Sequence, residues 1–286
     1  MSKIIKSALT VALALVVLGA VLVCVSLLLG ANLRELWDAG SFQINPISGF
    51  GFGDLKDYTV CLDGEERFSP DEVRRIELGW ISGKVTLQVG SRDRIELQER
   101  CSRSLRDDQK LCWKLENGCL YLRFCSQTQT RLFDKELVLT IPEGWTAEYF
   151  SIDAVSADLT LRGLTVEKKL SADTTSGEIR VEDCRADSLD ANSVSGSIFV
   201  RGKATSFRLN TTSGDVRLQL PDAQGAQRIE VDTVSGDVYL DASGALDLDF
   251  DSVSGKLSGR LTQGGDVCPR VTVDTVSGDL ILSSFQ

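Results

Sequence analysis

The sequence predicts an all-β protein: a β-solenoid, or single-stranded β-helix, of about seven coils of ~20 residues. A β-rich N-terminal part and one transmembrane helix are expected to precede it. Three observations predict this. A serine-centred motif recurs along the second half of the chain, with "DTVSGD" at both Asp232–Asp237 and Asp274–Asp279. Apolar side chains keep fixed places around every copy. A long uncharged run lies near the N-terminus.

The repeat has a period near 20 residues. Its serines are Ser156, Ser176, Ser195, Ser213, Ser235, Ser254 and Ser277, spaced by 18 to 23 residues. The positions six and four residues before the serine, and three and five after it, are apolar in every copy except at Gly259. Alternation on both sides of the serine is typical of two short strands with inward apolar side chains. The sequence therefore predicts one coil per copy, bent at Ser-Gly.

The residues around the serine predict how each coil turns. Glycine follows the serine in every copy but the first, which has Ala157. Glycine at this corner indicates either a positive φ or a close approach between backbones. The first corner is therefore expected to be less regular. Small residues two before the serine let the backbone turn inward: Ala154, Thr174, Ser193, Thr211, Thr233, Ser252 and Thr275. The position three residues before the serine is always Asp or Asn, and these side chains are expected to accept hydrogen bonds from nearby backbone N–H groups. They are Asp153, Asp173, Asn192, Asn210, Asp232, Asp251 and Asp274.

The N-terminal run predicts a membrane anchor. Residues 8–30 are uncharged and long enough to span ~30 Å of hydrocarbon, whereas the apolar part of a signal peptide is usually ~7–15 residues. Lys3 and Lys6 place residues 1–7 in the cytoplasm by the positive-inside rule. The rest of the chain is then extracellular, on a single-pass protein of the cell membrane. Residues 31–72 are a juxtamembrane spacer.

The segment 73–145 is predicted as the N-terminal β region, and 146–286 as the solenoid. Asn117-Gly118 lies between two alternating runs and predicts a tight hairpin, because both residues tolerate positive φ. The β region is expected to cover the first coil. At the other end the final "LILSSFQ" leaves an open strand edge that something must cover.

Composition excludes several functions. The chain has no histidine, which removes Ser-His-Asp and Cys-His catalysis and histidine-ligated zinc. Its net charge is −10, and residues 146–286 hold 22 acidic and 13 basic side chains, which argues against nucleic-acid binding. The cysteines Cys101, Cys112, Cys119 and Cys125 lack the C-x-x-C spacing of zinc sites. Disulfides or inert thiols are the interpretation, with the pairing left open.

Two outward columns suggest ligand or partner binding. Two residues after the serine stand Asp158, Glu178, Ser197, Asp215, Asp237, Lys256 and Asp279. These could bind Ca²⁺ between coils, although solvated turn residues are the simpler interpretation. One residue before the serine stand Val155, Thr175, Val194, Thr212, Val234, Val253 and Val276, either a docking stripe or residues that merely suit a strand. The insertions 221–228 and 262–270 are expected to bulge as loops.

The repeated motif, together with "IELGWISGKVTLQV", "ENGCLYLRF" and "LVLTIPEGW", resembles the bacterial putative adhesin family, a domain of unknown function. The resemblance covers residues 73–286 and implies a β-solenoid surface protein, with some members tied to envelope-stress responses. It brings no catalytic residue.

We therefore expect a binding protein, an adhesin or an envelope-stress or ligand sensor. No catalytic, cofactor-binding or metal-binding residue, no cofactor and no enzyme activity are assigned. Expected partners are the membrane through the N-terminal helix, and a cell-envelope glycan, a cationic peptide or a protein. The alternatives are a self-assembling surface scaffold, which would be a homo-oligomer, and a polysaccharide-active β-helix enzyme. A right-handed winding is expected from the chirality of parallel β crossovers.

Overall fold

The computed structural model describes residues 55–125, 134–260, 262–263 and 268–284. They form short 3-10 turns at Leu55–Asp57, Pro70–Glu72, Asp107–Gln109 and Ala223–Gly225, and nineteen strands. The strands are β1 (Thr59–Val60), β2 (Glu65–Phe68), β3 (Arg75–Gly90), β4 (Ile95–Arg100), β5 (Cys112–Glu116), β6 (Cys119–Arg123), β7 (Lys135–Pro142), β8 (Thr146–Arg162), β9 (Thr165–Thr174), β10 (Ile179–Ser193), β11 (Ile198–Thr211), β12 (Val216–Leu220), β13 (Arg228–Thr233), β14 (Val238–Ala242), β15 (Ala245–Ser252), β16 (Leu257–Gly259), β17 (Thr262–Gln263), β18 (Arg270–Thr275) and β19 (Leu280–Ser284).

Each copy of the motif forms one rung of a parallel stack, named here by its serine. The strand segment before the serine lies on a first face, and the segment after it on a second face. Neighbouring rungs pair in parallel and in register, as in Ile179 with Ile198 and Ile198 with Val216. The chain is thus all-β and solenoid-like, as the periodicity predicted.

The four apolar columns form the core, which confirms their predicted inward direction. In the rungs from Ser156 to Ser235, and in that of Ser277, every residue of these columns is buried. The exceptions belong to the Ser254 rung, where Leu248 and Phe250 are partly buried and Leu257 and Gly259 are exposed. The Ser254 rung therefore differs in environment from the others.

An eighth rung precedes the seven that the motif predicted. Ser82 pairs with Ser156, and Gly83 with Ala157, so β3 is a rung in register with the first predicted coil. Strands β6 and β7 pair with the two halves of β3 on its other side. The segment "ISGKVTL" in β3 contains the Ser-Gly corner of the motif. This copy was not recognised because Gly79 stands where the other copies have Asp or Asn.

Antiparallel strands cap this end of the stack. β5 pairs with β6 and β1 with β5, while β4 pairs with β7 and β2 with β4. The predicted hairpin at Asn117-Gly118 is confirmed, with φ of 51° and 75°, the positive values that such a turn requires. The segment before residue 146 thus covers the first rungs, as expected.

A buried ion pair lies inside the cap. The Lys135 ammonium contacts the carboxylate of Glu99 and donates to Gln109 O at 3.0 Å. Glu99 also accepts the backbone N–H of Leu111 at 3.0 Å. The two side chains are 0% and 3% exposed, and the Lys135 ammonium lies 4.0 Å from the centre of the Phe124 ring. This cluster joins β4, β7 and the start of the hairpin.

The order of the last rungs in the stack departs from their order in the sequence. β18 lies between β13 and β15, and β19 lies between β14 and β16. The Ser277 rung is therefore inserted between those of Ser235 and Ser254. The final "LILSS" strand is an inner strand, and the open edge belongs to the Ser254 rung instead. Burial explains the choice, since the Ser277 rung has a fully apolar inner side and the Ser254 rung includes Gly259.

The predicted transmembrane helix at 8–30, the cytoplasmic tail and most of the spacer lie outside the described residues. Within the described ranges, no helix is long and apolar enough to cross a membrane.

Candidate binding surface

The corner of each rung is fixed by the hydroxyl two residues before the serine. Thr174 Oγ1 accepts the N–H of Gly177 at 3.2 Å, and Thr211 Oγ1 that of Gly214 at 3.2 Å. The same bond recurs with Ser193, Thr233, Ser252 and Thr275 as acceptors. These small residues therefore hold the turn. The Asp/Asn column was expected to fix the bend, but these bonds to the corner glycines come from the hydroxyl column.

Close approach, and not positive φ, explains the corner glycines. None of the glycines that follow the motif serines from Ser176 onward has a positive φ. A Cβ at Gly177 would lie 1.8 Å from the carbonyl oxygen of Ala157, and one at Gly214 would lie 2.1 Å from that of Gly196. The backbone of one rung thus rests directly on the next. In the first predicted coil, which has Ala157 in place of glycine, β8 is a single strand from the first face to the second.

The column two residues after the serine binds backbone. The Asp158 carboxylate accepts the N–H of Glu178 at 2.9 Å, and that of Asp237 accepts the N–H of Asp279 at 2.8 Å. Asp215 and Asp279 do the same for the next rung in the stack. Among the described residues, no group of three or more Cys, Asp or Glu is arranged to hold a metal ion. The geometry thus gives these carboxylates a structural role, since each accepts a backbone N–H of the adjoining rung.

The Asp/Asn column forms a ladder on the first face. Its members pair in register from Asp153 to Asp251, in the order of the stacked rungs. The amide of Asn192 donates to the Asp173 carboxylate. The amides of Asn192 and Asn210 approach to 2.6 Å, and that of Asn210 reaches Asp232 at 2.9 Å. The middle of the ladder is thus joined by amides, whereas carboxylates stand next to one another toward both ends.

Burial and mutual repulsion raise the pKa of these carboxyls. The pKa of Asp153 rises to about 6 because the group is half-buried and faces Asp173. The pKa of Asp232 also rises to about 6, through burial and the neighbouring Asp274. Burial likewise raises the pKa of Asp173, although hydrogen bonds from Asn192 and Ser171 oppose the change. The ladder therefore holds carboxylates that would gain from a cation or a proton.

Mild acid is expected to stabilise the fold through this ladder. Asp153 and Asp232 titrate near 6 when folded and near 3.8 when unfolded, so the folded state binds more protons between these values. Their contribution to the free energy of unfolding therefore rises as pH falls from 6 to 4. The variant Asp153→Asn/Asp232→Asn should be more stable than wild type at pH 7, by about 1 kcal/mol a site after allowing for solvent screening, or roughly 2–4 °C each.

Thermal unfolding of both proteins from pH 4 to 8 measures this difference, which should vanish near pH 4. Asp93→Asn, at an exposed loop position, is the control and should show no such pH-dependent difference. Parallel curves for wild type and the double variant would contradict the assignment.

A cleft of about 390 Å³ opens at the capped end of the ladder. Asp153, Asp173, Tyr149, Lys169 and Arg75 are among its lining residues. The side chain of Tyr149 is 38% exposed, which is unusual for a large apolar group in this fold. The cleft thus combines three carboxylates, those of Glu77 and the two aspartates of raised pKa, with a partly exposed aromatic ring and two cations. Asp153 and Asp173 could be recognised in the repeat, whereas the other lining residues come from columns of mixed composition.

The remaining candidates are dispersed. The valine column faces outward, half-exposed in most rungs, with Val253 exposed at 69%. The insertion 221–228 does not simply bulge, because Ala223 and Ala226 are buried and Gln227 donates to Thr205 O. In 262–270, Thr262 and Gln263 pair with β15.

None of the seven described cysteines forms a disulfide, and five of them are buried. Burial raises the pKa of Cys61 to about 11 and the pKa values of Cys112 and Cys184 to about 12. These three are therefore protonated and unreactive at neutral pH. Within the described residues the structure thus contains inert thiols and no disulfide.

The chain belongs to the Toastrack DUF4097 family, whose pattern matches residues 73–284. This agrees with the resemblance that the repeated motif suggested. Two solved structures align with it. One is a putative cell adhesion protein from Clostridium sporogenes, at 9% identity and a TM-score of 0.34, covering 77% of this chain and 98% of the other. The second is a putative adhesin from Bacteroides fragilis, at 12% identity and a TM-score of 0.45, covering 77% and 96%. No curated protein is significantly similar to the chain.

Proposed function

We propose that this protein is a membrane-anchored, extracytoplasmic binding protein of the adhesin type, without enzyme activity. The uncharged run at 8–30 supports the anchor, and the lysines before it support an extracellular C-terminal domain. The absence of histidine from the sequence supports a binding role over catalysis. The net charge of −10 disfavours nucleic acid as a partner.

The cleft beside Tyr149 carries the proposal, and a cationic peptide is the ligand that it suits best. Asp153 and Asp173 sit on adjacent rungs, half-buried and facing each other across one strand spacing of ~4.8 Å. An ammonium or guanidinium group between them would relieve both desolvation and repulsion. The Lys168 ammonium already lies 5.0 Å from the centre of the Tyr149 ring, and the part of this ring that stays exposed adds an apolar surface for the ligand. The acidic second half of the chain would also attract such a ligand over longer distances.

A short oligolysine peptide is expected to bind the full chain more tightly at pH 7.5 than at pH 5, because protonation of Asp153 removes a charge from the cleft. Asp153→Asn/Asp173→Asn should weaken binding by about tenfold or more. Titration calorimetry measures both effects. Asp93→Asn removes an equal charge elsewhere and should leave the affinity within about twofold.

An unchanged affinity in the double variant would exclude the cleft as the binding site. A neutral envelope oligosaccharide serves as the second ligand. Binding that depends on Tyr149 but not on the two carboxylates would replace the cationic peptide by a glycan. Adhesion and sensing are distinguished by adding the same ligands to cells that carry the protein. A sensor would change the envelope-stress response, whereas an adhesin would not.

The structural alternative is a scaffold assembled from many copies. The exposed edge of the Ser254 rung is the observation that favours contact between copies. A polysaccharide-active enzyme is the third option, and it would need Asp153 and Asp173 as an acid–base pair. Cleavage of an envelope polysaccharide by the full chain, lost in the double variant, would support that option over binding.

A further inference from the structure

The Ser254 rung leaves one end of the stack open. Leu257 is 51% exposed, although its column is buried in the seven other rungs, from Val85 to Leu280, each 0% or 1% exposed. Val253 is 69% exposed, and Leu248 and Phe250 are only partly buried. These side chains form an apolar end surface, and exposed surfaces of this kind mark contact sites or aggregation hazards.

The backbone of this rung also presents free edges. From Asp247 to Ser252, β15 pairs with β18 on one side, and β16 pairs with β19 on one side. In the described part of the chain, no strand lies along the opposite edges of these stretches. The far end differs, because β1, β2, β4 and β5 continue the sheet there as antiparallel strands. Unpaired strand edges are ready to pair with a further strand.

The two edge strands carry opposite charges. Asp247, Asp249 and Asp251 alternate outward along the strand before the corner, and Lys256 and Arg260 flank the short strand after it. Asp247, Asp249, Lys256 and Arg260 are exposed and form no ion pair within the described residues. One edge is thus acidic and the other basic, side by side on the same rung.

We propose that the Ser254 rung pairs end to end with the same rung of a second copy of this chain. A two-fold axis along the strands sets β15 antiparallel to β16 of the partner subunit. The outward residues then match one to one: Asp247 with the partner's Arg260, Asp249 with the partner's Ser258, and Asp251 with the partner's Lys256. On the inner side, Phe250 meets the partner's Leu257. The other two-fold arrangement sets β15 against β15 and opposes carboxylates, which is unfavourable.

The pairing gives a closed dimer and not a fibre, because the far end of the stack is capped. Nine layers at ~4.8 Å separate the open rung by roughly 40 Å from the cap, where residue 55 begins the described chain. This inference rests on the proposed adhesin-type function. Between copies carried by two cells, this pairing is the contact that would join them. A one-rung interface is small, so many weak pairs would act together.

The experiment uses the full chain in lipid nanodiscs that hold one copy each, with sedimentation to measure pairing of discs. Wild type is expected to pair reversibly. Asp247→Lys/Asp249→Lys makes both edges basic, and Lys256→Asp/Arg260→Asp makes both edges acidic. Each variant alone should pair at least about tenfold more weakly than wild type. An equimolar mixture of the two should restore pairing, because each basic edge then faces an acidic one.

Three results would overturn the inference. Wild-type discs that stay monomeric at the highest attainable concentration would mean that the chain's own residues cover the end. Charge variants that pair as well as wild type would mean that another surface mediates pairing, and a mixture of the two variants that does not pair would contradict the matched edges. Leu257→Gln, which removes the apolar centre without changing charge, should also weaken pairing and serves if a charge variant does not fold. Oligolysine binding at the cleft is measured on the same samples. If oligolysine binds but the discs do not pair, only the dimer is contradicted. If the discs pair but oligolysine does not bind, only the proposed function of the cleft is contradicted.

Discussion

Replacing Gly214 with alanine is expected to unfold the solenoid stack or destabilise it by more than about 4 kcal/mol. The new Cβ would lie 2.1 Å from the carbonyl oxygen of Gly196, 2.5 Å from its carbonyl carbon and 2.9 Å from the N of Ser197. All three atoms are backbone, so no side chain can rotate away. Relief requires the Ser213 rung to separate from the Ser195 rung, which would break the parallel pairing of β11 with β12.

Gly225→Ala is the matched control. Gly225 lies in the 3-10 turn of the 221–228 insertion, and a Cβ there meets nothing within 4 Å. Its free energy of unfolding should change by less than about 0.5 kcal/mol. Denaturant unfolding followed by circular dichroism measures both variants. A Gly214→Ala protein that unfolds together with wild type would show that the rungs are not in direct backbone contact at this corner.

Replacing Lys135 with methionine should cost about 3–5 kcal/mol, because it leaves the Glu99 carboxylate buried without its cation. The Lys135 side chain is 0% exposed and that of Glu99 is 3% exposed. The ammonium also donates to the carbonyl oxygens of Gln109 and Phe124, which would lose their partner. Because these residues belong to the cap, the cap should loosen before the middle rungs.

The double variant Lys135→Met/Glu99→Gln should recover part of this loss. A neutral amide keeps an acceptor for the N–H of Leu111 and removes the buried charge. Lys203→Met is the control, because Lys203 pairs with Asp222 where both side chains are more than half exposed. Its effect should stay within about 1 kcal/mol. Thermal unfolding compares the four proteins, and a double variant less stable than Lys135→Met would argue against an uncompensated Glu99 charge.

The repeat itself could be recognised from the sequence because each rung must bury the same columns. The hairpin at Asn117-Gly118 and the inward columns followed from local pattern alone. The eighth rung at Ser82 was missed because glycine at position 79 breaks the Asp/Asn signal, although its apolar columns are intact. The cleft was only half predicted, since Tyr149, Lys169 and Arg75 come from positions that change character from rung to rung.

What the sequence by itself determined is the content of each rung: two strands, an apolar interior and a Ser-Gly corner, since period and side-chain direction are local properties. Tertiary structure alone decided which rung lies beside which. Ser277 and Ser254 have equally good motifs, yet the Ser277 rung is inner and the Ser254 rung is terminal. Parallel strands can pair between any two rungs of matching register. Burying Leu280 and Leu282 at an inner position is more favourable than burying Leu257 and Gly259 there, and this difference in free energy selects the order. The same choice leaves the apolar end and its two charged edges exposed.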